Sequence, residues 1–262
     1  MEVTEQTPFQ TRVENSFRRG LATYHGAARA QAAGAAQLID CLTQVVGAPR
    51  LFPRVFEFGC GTGHLTEAFL AQYRVTNMWL NDLVADAETI VRAKVSETQV
   101  NLQFQAGPVE TVLIPKDLDL ILSGSTLQWV EDIPGLLNHL ADHLAPGGLL
   151  VLSTFGEQQF TQLRALGSKS FAPSYTNADQ LKHVLPASMV MRRIEQSPHD
   201  LYFPTTRDIL RHLRDTGVNG RAQAPWSRRK LATFDQTYKT RFACQSGLPL
   251  TYDPVFMVAE KI

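Results

Sequence analysis

Three glycines at alternate positions, Gly59, Gly61 and Gly63, close the apolar run Val55-Phe56-Glu57-Phe58 and open the helical pattern that begins at His64. Glycine lets the backbone take positive φ and approach a ligand closely, and the free amides of a helix's first turn favour electron-rich atoms. The combination reads as a cradle for a nucleotide cofactor. Its spacing is G-x-G-x-G with Glu57 two residues ahead, which differs from the G-x-G-x-x-G of dinucleotide sites. Asp82 closes the next apolar run, nineteen residues after Gly63. At that position a carboxylate can accept hydrogen bonds from the ribose hydroxyls of a nucleoside. The plainer alternative is an N-cap or turn aspartate.

Other groups carry weaker chemistry. Ser123-Gly124-Ser125-Thr126-Leu127-Gln128-Trp129 follows the fourth predicted strand and faces the reactive end of such a crevice. Ser123 either lines the cofactor or caps the loop, Gln128 can donate or accept, and Trp129 is either core or ligand wall. His139 and His143 stand four apart on a predicted helix, a spacing that can share a metal. No third ligand accompanies them, and Leu136, Leu137, Leu140 and Leu144 form the buried stripe, so both histidines are expected to face solvent. Arg207, Arg211 and Arg214 share a helix face, and Arg228, Arg229 and Lys230 form a second cluster. Either is a solvated surface or meets an acidic partner.

These groups need elements to hold them. Residues 14–46 read as helices stopped by Gly47-Ala48-Pro49. Apolar runs at 54–58, 75–80, 102–105, 118–122 and 149–155 then alternate with helical patterns. That alternation predicts an α/β fold with a parallel, doubly wound sheet, N-terminal helices and a crevice beyond the strands' carboxyl ends. Ala145-Pro146-Gly147-Gly148 reads as a helix stop and turn before the fifth strand. Beyond Phe155, helices are expected over 157–166, from Asn177 with Thr176 as N-cap, over 206–216 and over 227–243. An extended stretch covers 190–203 and one last strand covers 250–260. The organisation expected is one domain: helices over 1–48, a cofactor-binding core over 49–155, a helical lid with later sheet elements over 156–248, and a final strand over 249–262.

The chain of 262 residues carries 25 basic and 25 acidic side chains, a balance that argues against nucleic-acid binding through overall basicity. The first residues show neither a basic nor an apolar targeting segment, and no apolar run is long enough to cross a membrane. Cys41, Cys60 and Cys244 form no C-x-x-C, which suggests neither a disulfide framework nor a zinc site. A cytoplasmic protein is expected.

The glycine loop with its leading acid resembles motif I of Rossmann-like methyltransferases that use S-adenosylmethionine. Further segments narrow the resemblance: Ser16-Phe17-Arg18 with Tyr24 near the N-terminus, Ser125-Thr126-Leu127-Gln128-Trp129, residues 153–164, and Pro249-Leu250-Thr251-Tyr252. Together they resemble the malonyl-acyl-carrier protein O-methyltransferases of biotin synthesis over nearly the whole chain. The departures are His25, where the family usually has an acid, and Pro108 in the adenine-reading segment, which removes a backbone donor.

The resemblance implies S-adenosylmethionine held by Glu57, Gly59, Cys60, Gly61, Gly63, Asp82, Val109 and Ser123. Glu57 would serve the methionine amino group, and Val109 the adenine. It implies methyl transfer to the free carboxylate of a malonyl thioester on an acidic acyl-carrier protein. Such a carboxylate is already ionised at pH 7 and needs no general base. Arg164 is the expected cation for it, with a surface ion pair as the alternative, and Tyr24 and Gln128 are the other expected substrate contacts. Rival readings are a same-fold methyltransferase with another acceptor and a non-catalytic assembly factor that keeps the crevice.

Overall fold

The computed structural model describes residues 11, 13–15, 17–18, 29–168, 172–215 and 227–262. Helix α1 (Arg29–Val46) follows from an alanine-rich segment whose Ala35, Leu38, Ile39 and Leu42 recur on one face and are buried. It stops at Gly47, which takes φ 74° and donates its amide to the Thr43 carbonyl at 2.8 Å.

The chain then alternates strand and helix: β1 (Leu51–Phe58), α2 (His64–Leu70), β2 (Arg74–Asp82), α3 (Ala87–Val95), β3 (Asn101–Ala106), β4 (Leu118–Ser123), α4 (Ile133–Ala141) and β5 (Leu144–Phe155). There follow α5 (Thr161–Ala165), α6 (Ala178–Val184), β6 (Met189–Gln196), β7 (His199–Phe203), α7 (Thr206–Asp215), α8 (Arg228–Phe242), β8 (Leu248–Tyr252) and β9 (Pro254–Lys261). The main sheet runs β3-β2-β1-β4-β5-β9-β6. Its first five strands are parallel, and β9 lies antiparallel between β5 and β6. The winding turns back between β1 and β4, and the crevice opens at the carboxyl ends there.

One apolar layer packs Leu38, Phe52, Phe69 and Met78 under α1 and α2. The other packs Phe56, Leu137 and Leu150 under α4. Phe160, Ile209, Tyr238, Leu250 and Tyr252 form a third core beneath the later elements.

The expected doubly wound fold is therefore present, with four local corrections. Ala145-Pro146-Gly147-Gly148 lies inside the span of β5, opposite a register shift between Leu118 and Leu120 on β4, so the turn is absorbed as an irregularity of the ladder. The extended stretch 190–203 is two strands, broken at Ser197-Pro198 because proline has no N–H to donate. The last strand is also two, β8 in a two-stranded sheet with β7 and β9 in the main sheet. Beyond Phe155 the chain thus carries the β7–β8 ribbon as well as helices. Finally α6 is capped by Asn177, not Thr176, in a capping box with Gln180.

Candidate active site

At the carboxyl end of β1 the chain turns through Gly59 (φ 64°), Gly61 (φ 51°) and Gly63 (φ 79°) into α2. Each glycine has a different reason. A Cβ on Gly59 would stand 2.0 Å from the Thr126 hydroxyl, and one on Gly63 would stand 2.8 Å from Val91. At Gly61 a Cβ would meet nothing within 4 Å, since this residue faces the open crevice. Asp82, at the tip of β2, accepts the Gly61 amide at 2.7 Å and the Val84 amide at 2.8 Å. Burial pushes its carboxyl pKa up, against the pull of those two amides. Asn81 braces the next turn by donating to the carbonyls of Gln105 and Gly107.

Of the expected cofactor residues, Gly59, Gly61, Asp82 and Val109 line this crevice together. Pro108 lines it too, so the lost donor leaves an apolar wall. Four others lie behind the surface. Glu57 is buried beneath the loop, accepts the Thr66 hydroxyl at 2.8 Å, and has its pKa pushed up to about 8 by burial. Cys60 is buried, with its amide on the Asn81 carbonyl at 3.1 Å and burial raising its thiol pKa. Gly63 is the N-cap of α2. Ser123 is fully buried and donates to the Phe58 carbonyl at 2.8 Å, which is the capping role.

Trp129 is a wall of the crevice, not core. Phe17 meets it edge-on at 5.5 Å and, with Val13, covers the same opening. Phe17 and Val13 come from a segment far in sequence, and only the S-F-x-R motif signalled one of them.

A second cavity adjoins the first at Ser125. Its walls include Gly34 and Gln37 of α1, Ser153 and Phe155 of β5, and a cluster of His199, His212 and Tyr252. His212 Nε2 and the Tyr252 hydroxyl are 2.7 Å apart, and the His199 ring stacks on Tyr252 at 6.2 Å. Sequence reasoning missed both histidines, which stand alone in their segments, although Tyr252 belongs to the quoted P-L-T-Y.

Gln128 does not line either cavity. It is buried and positions Ser125, donating to that residue's carbonyl at 2.6 Å and accepting from Thr154 at 3.4 Å. Arg164 is likewise absent from both linings: its exposed guanidinium donates to the Glu157 carbonyl. Tyr24 and His25 lie outside the described residues. His143 is buried, contrary to expectation, because its Nδ1 folds back onto the His139 carbonyl at 2.8 Å, while His139 is exposed. Among the described residues no group of three His, Cys, Asp or Glu could hold a metal ion, and no helix is long and apolar enough to cross a membrane.

Residues 28–188 match the family described as a methyltransferase domain. The chain is 31% identical over 252 residues to a malonyl-acyl-carrier protein O-methyltransferase of Chlorobium luteolum, covering 95% of this chain and 94% of the relative. It is 32% identical over 254 residues to the enzyme of that name from Prosthecochloris aestuarii, covering 96% and 94%. Among solved structures, a phosphoethanolamine N-methyltransferase 2 from Haemonchus contortus in complex with S-adenosyl-L-methionine superposes with a TM-score of 0.54 at 15% identity. The match covers 86% of this chain and 52% of that one, a likeness of fold alone. With the glycine-loop crevice in place and relatives matched along nearly their whole length, the chain belongs to the family of malonyl-acyl-carrier protein O-methyltransferases.

Proposed function

We propose that this protein transfers the methyl group of S-adenosylmethionine to the free carboxylate of a malonyl thioester borne on acyl-carrier protein, an early step in biotin synthesis. The observation that carries this reading is the similarity to relatives of that name over 95% of the chain. The crevice fits the cofactor. Gly61 presents bare backbone where a side chain would intrude, and Asp82 and the apolar wall of Pro108 and Val109 stand beside it.

When bound, S-adenosylmethionine supplies an electrophilic methyl on a positive sulfonium. The protein's part is to hold the acceptor oxygen in line with that methyl and to exclude water. No proton has to be removed from a malonyl carboxylate at neutral pH, so no general base is required.

Arg164 is the arginine on the first helix after β5, and its planar fork suits a carboxylate. It would reach one by turning away from the Glu157 carbonyl. Tyr24 is the accompanying hydrogen-bond donor that the resemblance implies. Arg164→Lys should keep cofactor affinity and lower kcat/KM for the malonyl substrate. Carrier docking is assigned to Arg207, Arg211 and Arg214. All three are exposed on α7, the helix whose His212 forms part of the second cavity's wall.

The deciding experiment uses S-adenosylmethionine with a labelled methyl and malonyl-acyl-carrier protein. A base-labile methyl ester on the malonyl carrier, and none on an acetyl carrier, is the expected result. No transfer to the malonyl carrier overturns the reading.

A further inference from the structure

Ser125 lies where the two cavities meet, and among the described residues it alone lines both. Its backbone takes φ 55°, a left-handed conformation that a residue with a side chain adopts only when its surroundings impose it. The imposing contacts are explicit. The Ser125 amide donates to both the carbonyl and the hydroxyl of Ser153 at 3.1 Å, and its carbonyl accepts from Gln128 Nε2 at 2.6 Å.

The hydroxyls around it are engaged: Ser123 with Phe58, Thr126 with Gly124 and Thr154 with Gln128. The Ser125 hydroxyl makes no hydrogen bond among the described residues. A strained backbone held by three contacts thus presents an uncommitted donor at the opening between the two cavities.

We propose that the Ser125 hydroxyl is the donor that holds the reacting carboxylate at that opening, an inference that rests on the malonyl acceptor proposed above. A neutral hydroxyl suits the task. It fixes one carboxylate oxygen with a single bond and leaves most of the negative charge on the carboxylate, so it can act beside the Arg164 fork assigned above. In the step itself a carboxylate oxygen forms the new O–CH3 bond as the S–CH3 bond breaks. The bonding pair stays on sulfur as a neutral thioether, and no proton moves.

Three variants test this: Ser125→Ala, Ser125→Gly and Ser125→Asn. The readouts are kcat and KM with malonyl-acyl-carrier protein and calorimetric affinity for S-adenosylhomocysteine. Alanine and glycine should each lower kcat/KM about tenfold with cofactor affinity within about twofold of the parent. Asparagine tolerates the left-handed conformation and brings an N–H donor, so it should recover part of the loss.

Glycine relaxes the backbone while removing the hydroxyl, so a glycine variant as active as the parent overturns the contact. Equal losses of cofactor affinity and turnover also overturn it, by assigning the residue to the cofactor crevice. If the parent protein leaves malonyl-acyl-carrier protein unmethylated, the acceptor reading falls and the carboxylate contact falls with it. A parent that is active beside unaffected variants removes the Ser125 contact alone.

Discussion

The Asp82 carboxylate accepts the Gly61 amide at 2.7 Å through one oxygen and the Val84 amide at 2.8 Å through the other. One side chain at the tip of β2 therefore ties the glycine loop to the turn that follows the strand. Its place on the crevice wall makes it both a loop brace and the expected ribose ligand. Asp82→Ala should weaken S-adenosylhomocysteine binding by ~1.5–3 kcal/mol, roughly 10- to 150-fold, and lower the melting temperature as well. Calorimetry with both cofactor forms checks it. Unchanged affinity would remove Asp82 from the cofactor site.

Gly59 and Gly61 share positive φ yet should fail differently. A methyl on Gly59 would collide with the stiff, β-branched side chain of Thr126. Gly59→Ala should therefore cost on the order of 2–3 kcal/mol of stability. Gly61→Ala adds a methyl in open space at the crevice, so about 1 kcal/mol of backbone strain should accompany a larger loss of cofactor affinity. Thermal melts and cofactor titrations of the two variants, run side by side, should show opposite emphases.

Glu57 links stability to pH. Its folded-state pKa of about 8 lies above the ordinary 4.5, so the folded protein keeps a proton that the unfolded chain releases across that window. Stability from this group should consequently fall as pH rises from about 4.5 to about 8, by on the order of 1 kcal/mol per pH unit. Glu57→Gln keeps an acceptor for Thr66 without the charge and should flatten that slope. Urea unfolding at several pH values measures it, and parallel slopes for parent and variant would contradict the assignment.

Charge reversal at Arg207, Arg211 and Arg214 should slow turnover of the carrier-bound substrate and scarcely affect a malonyl thioester lacking the carrier. Arg211 already pairs with Asp208 at 2.9 Å, so its change should have a smaller effect than that of Arg207. The parent's preference for the carrier form should shrink as salt screens the contact. kcat/KM for both substrates across a salt series decides it. Equal loss on both substrates would indicate damaged folding, and no loss on either would leave α7 as plain solvated surface.

Much of this was legible in the linear chain because it depends on local rules. Alternating apolar and helical periods led to five parallel strands, and glycines at alternate positions led to the loop, because backbone conformation and amphipathic period are short-range properties. Strand breaks at Pro198 and Asp253 were not legible. The two halves of each extended run join different partners, and partner choice is a long-range matter. Residue types at 57, 60 and 123 marked the crevice, yet burial set Glu57, Cys60 and Ser123 behind its surface. Packing between distant segments brought Phe17 onto Trp129 and His212 onto Tyr252. It also put Ser125, one of several small polar residues in its loop, at the opening between two cavities. Spacing along a chain determines which groups can share a strand end, whereas the packing of side chains decides which of them meets a ligand.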